Sequence, residues 1–374
     1  MSSVTETFDV IVVGSGPGGC AAARRCAATG FKTLLLEKRK LPRDKVCTGM
    51  VMGPLARHII QEEFGEIPPN VLTDPACLKG HMIHVPGASP RIIPCPTPMA
   101  WRRDLDFWFS KRAGDAGVEV LASVRVTSVA RDNKGCVLTF QDREGKRTLT
   151  SRFLIGADGA TSVVRRSLFP RLRVRYSSPI RECYEGTLSL DRDYCHWFFP
   201  KALSRPRFDI NFKGDNILIE GSGIKELRPQ VEETLENYGW VGISDPMWRD
   251  GCAIAILHEE LADGRFLPAR GNMLLVGDAA GLIFPVTYEG IGTALKTGLL
   301  AADAIAESIA QGREADAIYI EKLRPLLTAI EHLHELQTSL RAASLEGPVA
   351  LADALKAAYE ATSVSYTHIR AHET

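Results

Sequence analysis

The sequence predicts an α/β protein with one domain built on a parallel sheet and a second domain built on an antiparallel sheet. Three observations carry this reading. A strand, a glycine turn, a helix and a second strand follow one another over FDVIVVGSGPGGCAAARRCAATGFKTLLLE, residues 8–37. Two later strands run into acidic turns and then helices, at Asp158 and at Asp278. Between them, from Leu172 to Leu257, apolar and polar residues alternate with the two-residue period of half-buried strands, interrupted by one helix over Arg228–Tyr238.

The first element, Val10–Val13, is apolar on every face, as a parallel strand buried on both sides requires. Gly14 permits the sharp turn, Gly16 lets the backbone approach a pyrophosphate, and Gly19 lets the helix lie against the strand. The second strand ends on Glu37, 18 residues after Gly19, a carboxylate placed to accept hydrogen bonds from a ribose diol. Free N–H groups at the helix start suit phosphates. This is a Rossmann-like dinucleotide unit.

Lys38–Met50 is a loop with five basic residues, which composition alone reads as a solvated charged face. Within it Cys47 stands beside Thr48 and Gly49, small enough for close approach to a flat ring. A helix is expected from Gly53 to Phe64. From Ile67 to Pro98 prolines break every pattern, and this stretch reads as a crossing between domains. Trp101–Gly117 returns to helical spacing. Val118–Leu121, Val124–Val129 and Val137–Gln141 read as strands joined by turns such as Asp132–Gly135. Phe153–Gly156 leads into Asp158, which serves equally as a helix cap or a ligand. A last buried strand delivers Asp278, and Tyr288–Gly292 opens a helix reaching Gln311.

Across 374 residues, 45 basic and 45 acidic side chains cancel, so net charge gives no pull toward nucleic acid or an anionic membrane. Nine cysteines, odd in number and without a CxxC pair, argue against a disulfide framework or a structural zinc site and for a reducing, cytoplasmic setting. MSSVTETFD has neither a basic start nor an apolar run, and no later stretch of about 18 apolar residues could span a bilayer. Peripheral membrane contact stays open. The final SYTHIRAHET, 365–374, reads as translated adaptor sequence rather than native chain, which would leave the natural carboxyl terminus missing. Its His368 and His372 are not taken as metal ligands, and no metal site is expected.

GSGPGG at 14–19, PRDKVCTGM at 42–50, GADGATSVVRR at 156–166 and GDAAGLIFPVTYEGI at 277–291 together resemble flavoproteins of the para-hydroxybenzoate hydroxylase fold. Within that group they resemble geranylgeranyl reductases and related FAD-dependent oxidoreductases. Arg102 with Leu105 and Asp106 resembles the family's R-x-x-F-D helix start. The resemblance implies that Ser15, Pro17 and Gly18 line the pyrophosphate of FAD, that Glu37 holds the ribose with Arg102 nearby, and that Asp278 contacts the ribitol. Gly290 and Ile291 would offer N–H groups to the flavin pyrimidine edge, stabilising negative charge on the reduced ring. Lys38, Gly49, Asp158, Gly281 and Pro285 complete the implied cofactor-binding set, and Cys47 would lie beside the ring as the candidate catalytic residue.

The implied domains are 1–75, 98–171 and 262–325 for FAD, 76–97 and 172–261 for substrate, a helical segment at 326–362 and the tail from 363. Tyr194, Trp197, Phe199, Phe208 and Tyr288 are the candidate substrate-pocket residues. The chain departs from the family at Thr48 and Tyr288, where glycines are usual, and in its aromatic box, for which 194–200 and 208–215 are both imperfect matches. The implied activity is hydride transfer from reduced flavin to a carbon–carbon double bond of an apolar, prenyl-like or conjugated substrate. NAD(P)H or a redox protein would supply the electrons. Alternatives are flavin-dependent hydroxylation, halogenation with Lys79 as the positional lysine, and a flavin-binding protein without turnover.

Overall fold

The computed structural model describes residues 7–132 and 135–371, with backbone alone for residue 132 and for 364–371. The amino-terminal six residues, the centre of the turn expected at 132–135, and the last three residues of the expected tail lie outside the described residues, as does the side chain of His368.

The chain opens with β1 (Thr7–Val13), α1 (Pro17–Ala28) and β2 (Thr33–Glu37), followed by α2 (Pro54–Phe64). It then leaves for a second sheet as β3 (Leu72–His84) and β4 (Arg91–Ala100). Helix α3 (Arg102–Asp115) brings it back for β5 (Glu119–Ala122), β6 (Arg125–Asp132), β7 (Gly135–Asp142) and β8 (Gly145–Gly156). After α4 (Val163–Leu168) and β9 (Arg175–Ser177), the second sheet is filled by β10 (Ile180–Thr187), β11 (Tyr194–Phe198), β12 (Phe208–Lys213) and β13 (Asn216–Gly221). Helix α5 (Arg228–Asn237), β14 (Val241–Gly242), β15 (Trp248–Gly251) and β16 (Ile254–Ile256) follow. The last part comprises α6 (His258–Ala262), β17 (Ala269–Arg270), β18 (Met273–Leu275), α7 (Ile291–Gln311), α8 (Ala315–Glu346) and α9 (Pro348–Ala371).

The first sheet has the order β17-β18-β8-β1-β2-β5, with β6 and β7 attached through β8. Its centre is parallel: β1 pairs with β2 and β8, and β8 with β18. The second sheet runs β14-β10-β13-β12-β11-β3-β4, with β15 also on β10. It is antiparallel except where β11 lies parallel to β3.

The stretch 67–98, expected as a pattern-breaking crossing, instead contains β3 and β4, and this second-sheet hairpin reaches beyond 76–97 at both ends. The prolines misled because β4 is an edge strand. Pro94 and Pro96 sit at its exposed positions, where a missing N–H costs no ladder bond. Helix α9 continues past residue 363 to Ala371 without a break. No helix among the described residues is long and apolar enough to cross a membrane.

Helices α1 and α7 cross with backbone against backbone. A Cβ on Gly18 would lie 2.7 Å from the Ala294 carbonyl oxygen, and one on Gly298 would lie 2.3 Å from the Gly18 carbonyl oxygen. Small residues at these positions let the amino-terminal ends of both helices converge, although Pro17 and Ile291, where they begin, lie 274 positions apart in sequence. Gly298→Ala would force the crossing apart and is expected to cost about 1–3 kcal/mol as an overpacked contact, read as a lower thermal midpoint. Gly114→Ala, in α3 with nothing within 4 Å of the added methyl, is the control and is expected to hold or raise the midpoint. Equal midpoints for the two variants would show that the crossing tolerates a wider spacing.

Candidate active site

A single cleft of about 830 Å³ runs from the glycine turn after β1, past the start of α7, to one face of the second sheet. Gly14, Gly16, Pro17, Gly18, Glu37, Lys38, Cys47, Arg102, Asp158, Asp278, Gly290, Ile291, Tyr288 and Trp197 line it. Helices α1 and α7 both present their starts to this space from glycine N-caps, Gly16 and Gly290, so no side chain of the N-cap residue closes either end.

Other expected residues stand behind the wall. Ser15 is buried and donates its hydroxyl to Glu37 at 2.9 Å. Gly19 packs against the Gly14 carbonyl, where a Cβ would come within 1.8 Å. Gly49, at φ +73°, abuts the Ala100 carbonyl, and Gly281 rests on Leu257. Pro285 contributes a carbonyl to the turn, accepting from the Thr287 N–H at 2.7 Å.

Glu37 is 4% exposed, and its Oε2 accepts from the Ser15 hydroxyl and from Arg43 Nε at 2.9 Å. Oε1 takes the Arg39 N–H at 2.9 Å and keeps a second lone pair that a ribose hydroxyl can use. Burial opposes its ionisation, but the Arg43 charge and these donors outweigh burial and lower its pKa. Arg43 goes on to Asp106 at 3.0 Å, and Asp106 receives a bidentate pair from Arg102 at 2.7 and 2.9 Å. A buried chain of alternating charge thus ties the second strand, the basic loop and α3 together. Arg43, expected as part of a solvated loop, is only 10% exposed in its side chain. The signal for it was the acid at Asp106, four residues after Arg102, which needed a second cation.

These residues fit FAD. The paired glycine helix starts form a cradle that a Cβ would fill, and Asp158 adds a second observation. Its Oδ2 caps α4 through the Val163 and Val164 N–H groups at 2.6 and 3.3 Å, while Oδ1 is buried without a partner.

The far wall of the cleft is set by strand register. Ile83 pairs with Trp197, Trp197 with Asp209, Asp209 with Glu220, Glu220 with Arg181, and Arg181 with Asp250, forming one row across β3-β11-β12-β13-β10-β15. Trp197, Asp209, Glu220, Arg181 and Asp250 all line the cleft. Alternation sends Phe208, Ile210 and Phe212 to the opposite face, where they pack with Ile224, Leu227 and Val231 around α5. Phe208 is therefore a core residue rather than pocket lining, and Tyr194, two positions from His196 and four from Phe198, also points away from Trp197. Phe199 lines a separate hollow of about 160 Å³ with Arg205, Arg207 and Tyr359.

Residues 9–170 match the family model described as FAD dependent oxidoreductase. This chain is an FAD-dependent oxidoreductase. The flavoprotein is 26% identical over 330 residues to digeranylgeranylglycerophospholipid reductase 1 of Methanococcoides burtonii, covering 84% of this chain and 78% of that one. It is 28% identical over 341 residues to geranylgeranyl diphosphate reductase of Rhodobacter capsulatus, covering 83% and 78%. Among solved structures, a geranylgeranyl bacteriochlorophyll reductase-like protein from Thermoplasma acidophilum shares the fold, with a TM-score of 0.75, 21% identity and coverage of 97% and 98%. The myxobacterial chondrochloren halogenase also shares it, with a TM-score of 0.68, 20% identity and coverage of 90% and 82%. Lys79, the positional lysine of the halogenase alternative, is outside the cleft and makes a surface ion pair with Asp193 at 2.6 Å.

In this flavoprotein Tyr288 adopts φ +57°, the left-handed region that favours glycine. Its hydroxyl accepts from Arg205, whose guanidinium stacks 4.2 Å from the ring centroid. Arg207 stacks on Trp197 at 4.3 Å and donates to the Val286 carbonyl at 3.1 Å. Burial and the neighbouring Arg207 pull the Arg205 pKa down to about 9.

Cys47 occupies the junction of the two halves. Its carbonyl accepts from Arg181 at 2.9 Å, and its Sγ accepts the Gly49 N–H at 3.3 Å. Burial opposes the thiolate, yet the Arg102 charge and the Gly49 N–H outweigh burial and lower the pKa. By contrast, burial pushes Cys26 up to about 12. Alkylation by iodoacetamide, followed by peptide mass spectrometry across pH, is expected to label Cys47 with an apparent pKa below the ordinary thiol value of about 8.5, while Cys20 and Cys26 stay unlabelled. Arg102→Gln should raise the Cys47 value, and a Cys47 profile at or above the ordinary one would overturn the assignment.

Proposed function

We propose that this oxidoreductase reduces carbon–carbon double bonds in a substrate with an apolar, prenyl-like or conjugated chain. The observation that carries the proposal is the continuity of the cleft, which joins both glycine helix starts to Trp197 and Tyr288 without an intervening wall. The reductase relatives support it through what their names describe, a geranylgeranyl phospholipid and a geranylgeranyl diphosphate.

When bound and reduced, FAD supplies a hydride with its electron pair. The chain's own residues do the rest. The starts of α1 and α7 hold the pyrophosphate and the pyrimidine edge through backbone N–H groups. Glu37 and Asp278 hold the sugar portions, with Arg43 keeping the Glu37 carboxylate in place and Arg102 bracing Arg43 through Asp106. Trp197 and Tyr288 present flat apolar surface at the reacting end, and closure of the cleft around the chain excludes water. NAD(P)H or a redox protein delivers the electrons, and peripheral contact with a membrane gives access to a lipid substrate.

A head group of negative charge fits the same reading. Arg205 and Arg207 are held by the Tyr288 hydroxyl and the Val286 carbonyl beside the hollow of about 160 Å³, and among the described residues neither forms an ion pair with a carboxylate. Buried cations of this kind are stabilised by an anion.

The test uses FAD-loaded protein reduced with dithionite under nitrogen and given a geranylgeranylated phospholipid, geranylgeranyl diphosphate or geranylgeraniol. Mass spectrometry is expected to show two hydrogens gained per reduced double bond. Arg205→Met with Arg207→Met should raise KM for the phosphorylated substrates and leave the free alcohol unaffected. A hydroxylated product formed with oxygen uptake, and no reduced alkene, would overturn the proposal in favour of a monooxygenase.

A further inference from the structure

We propose that Asp209 and Glu220 form a carboxyl pair that holds one proton at neutral pH and donates it to the substrate carbon opposite the one that receives hydride. This rests on the alkene-reduction reading above and supplies the acid which that reaction needs.

Four observations place the pair. Asp209 and Glu220 are direct cross-strand partners of β12 and β13, so their side chains project side by side from the same face. Both line the cleft. The row's cation, Arg181, is committed to Asp250 by a bidentate pair at 2.7 and 3.1 Å and reaches Glu220 only at 3.8 Å. Finally, Glu220 Oε1 and the adjacent Asn211 Oδ1 are buried without hydrogen-bond partners, and Asn211 instead gives its amide N–H to Asp209 at 3.2 Å. Two neighbouring carboxyl groups out of water cannot both ionise at ordinary cost, so one keeps its proton.

The surroundings favour the same state. Burial comes first, and each acid raises the other; Arg207 on the approach to β12 and Arg181 on β10 pull the other way without cancelling the rise. Lys213 on β12, which could have neutralised the pair, is turned to the Ala100 carbonyl at 2.8 Å and rests on Trp101, and burial lowers its own pKa. The remaining groups that face the pair are Cys195 on β11, Cys47 and Cys252 in the loops, and Tyr359 on α9.

The step balances. One alkene carbon takes hydride with both electrons from reduced flavin, and the other takes H⁺ as the carboxyl O–H bond breaks. The alkene is reduced, the flavin is oxidised, and the resulting carboxylate recovers a proton from solvent.

The first measurement is infrared titration of the full-length protein, with and without FAD. A protonated carboxyl C=O band is expected at neutral pH, shifting in D₂O, and lost in both Glu220→Gln and Asp209→Asn. The second is the single-turnover rate of the dithionite-reduced enzyme with an alkene. Glu220→Gln is expected to slow it by about 10²–10⁴-fold, the ordinary worth of a positioned acid, with FAD affinity unchanged and partial rescue by Glu220→Asp. Absence of the band overturns the proton-holding pair whatever the substrate. A band present with unchanged rates in both variants overturns the donation step. A band present with wild-type protein inert toward every alkene overturns the alkene reading and the donation step with it, while upholding the shared proton.

Discussion

The close crossing of α1 and α7 is the contact on which the rest of the molecule depends. Gly18 and Gly298 remove the side chains that would hold two helices at the usual spacing of about 8–10 Å. The two helix starts therefore meet at one cleft, and partial positive charge from both accumulates where a dinucleotide's anionic centre belongs. Gly277 takes part as well, since a Cβ there would meet Ala294 at 2.8 Å, which fixes the Asp278 turn against the same helix. A cofactor site made from an early and a late segment is thus a packing consequence of small residues, and the glycine turn at 14–19 supplies only half of it.

Around that cradle the protein buries two rows of charged side chains. The chain Glu37–Arg43–Asp106–Arg102 is nearly complete in its pairing, whereas the second-sheet row Asp209–Glu220–Arg181–Asp250 is not. The contrast separates two purposes. Fully satisfied networks rigidify a site, since every desolvated charge finds its partner. An incompletely satisfied row is costly to maintain, and in this cleft the cost falls beside the space where substrate and flavin would meet.

Much of the first sheet was legible because its signals are local. Val10–Val13, the glycines and Glu37 lie within 30 residues, and their spacing alone specifies strand, turn and helix. The acidic turns at Asp158 and Asp278 and the helix to Gln311 were legible on the same grounds. The second sheet was harder. Prolines at 94, 96 and 98 concealed β4, since nothing in a single sequence marks which strand will be at an edge. The aromatic residues of 194–200 and 208–215 drew attention by type, but register decides which of them face the cleft, and register couples strands that are far apart in sequence. Trp197 faces it and Phe208 does not, while Asp209 and Glu220 emerged as a pair only once β12 and β13 were aligned.

The turn between those two strands is only Gly214 and Asp215, with Gly214 at φ +61° and Lys213 paired to Asn216. So short a connection leaves no slack, and it locks the whole acidic stripe to one side of the sheet. A slip of β12 by one residue against its neighbours would carry Phe208, Ile210 and Phe212 to the face from which Asp209 now lines the chamber, replacing an ionisable wall with a greasy one. The tightness of one hairpin, remote from the cofactor cradle, therefore helps to decide which chemistry the chamber wall presents.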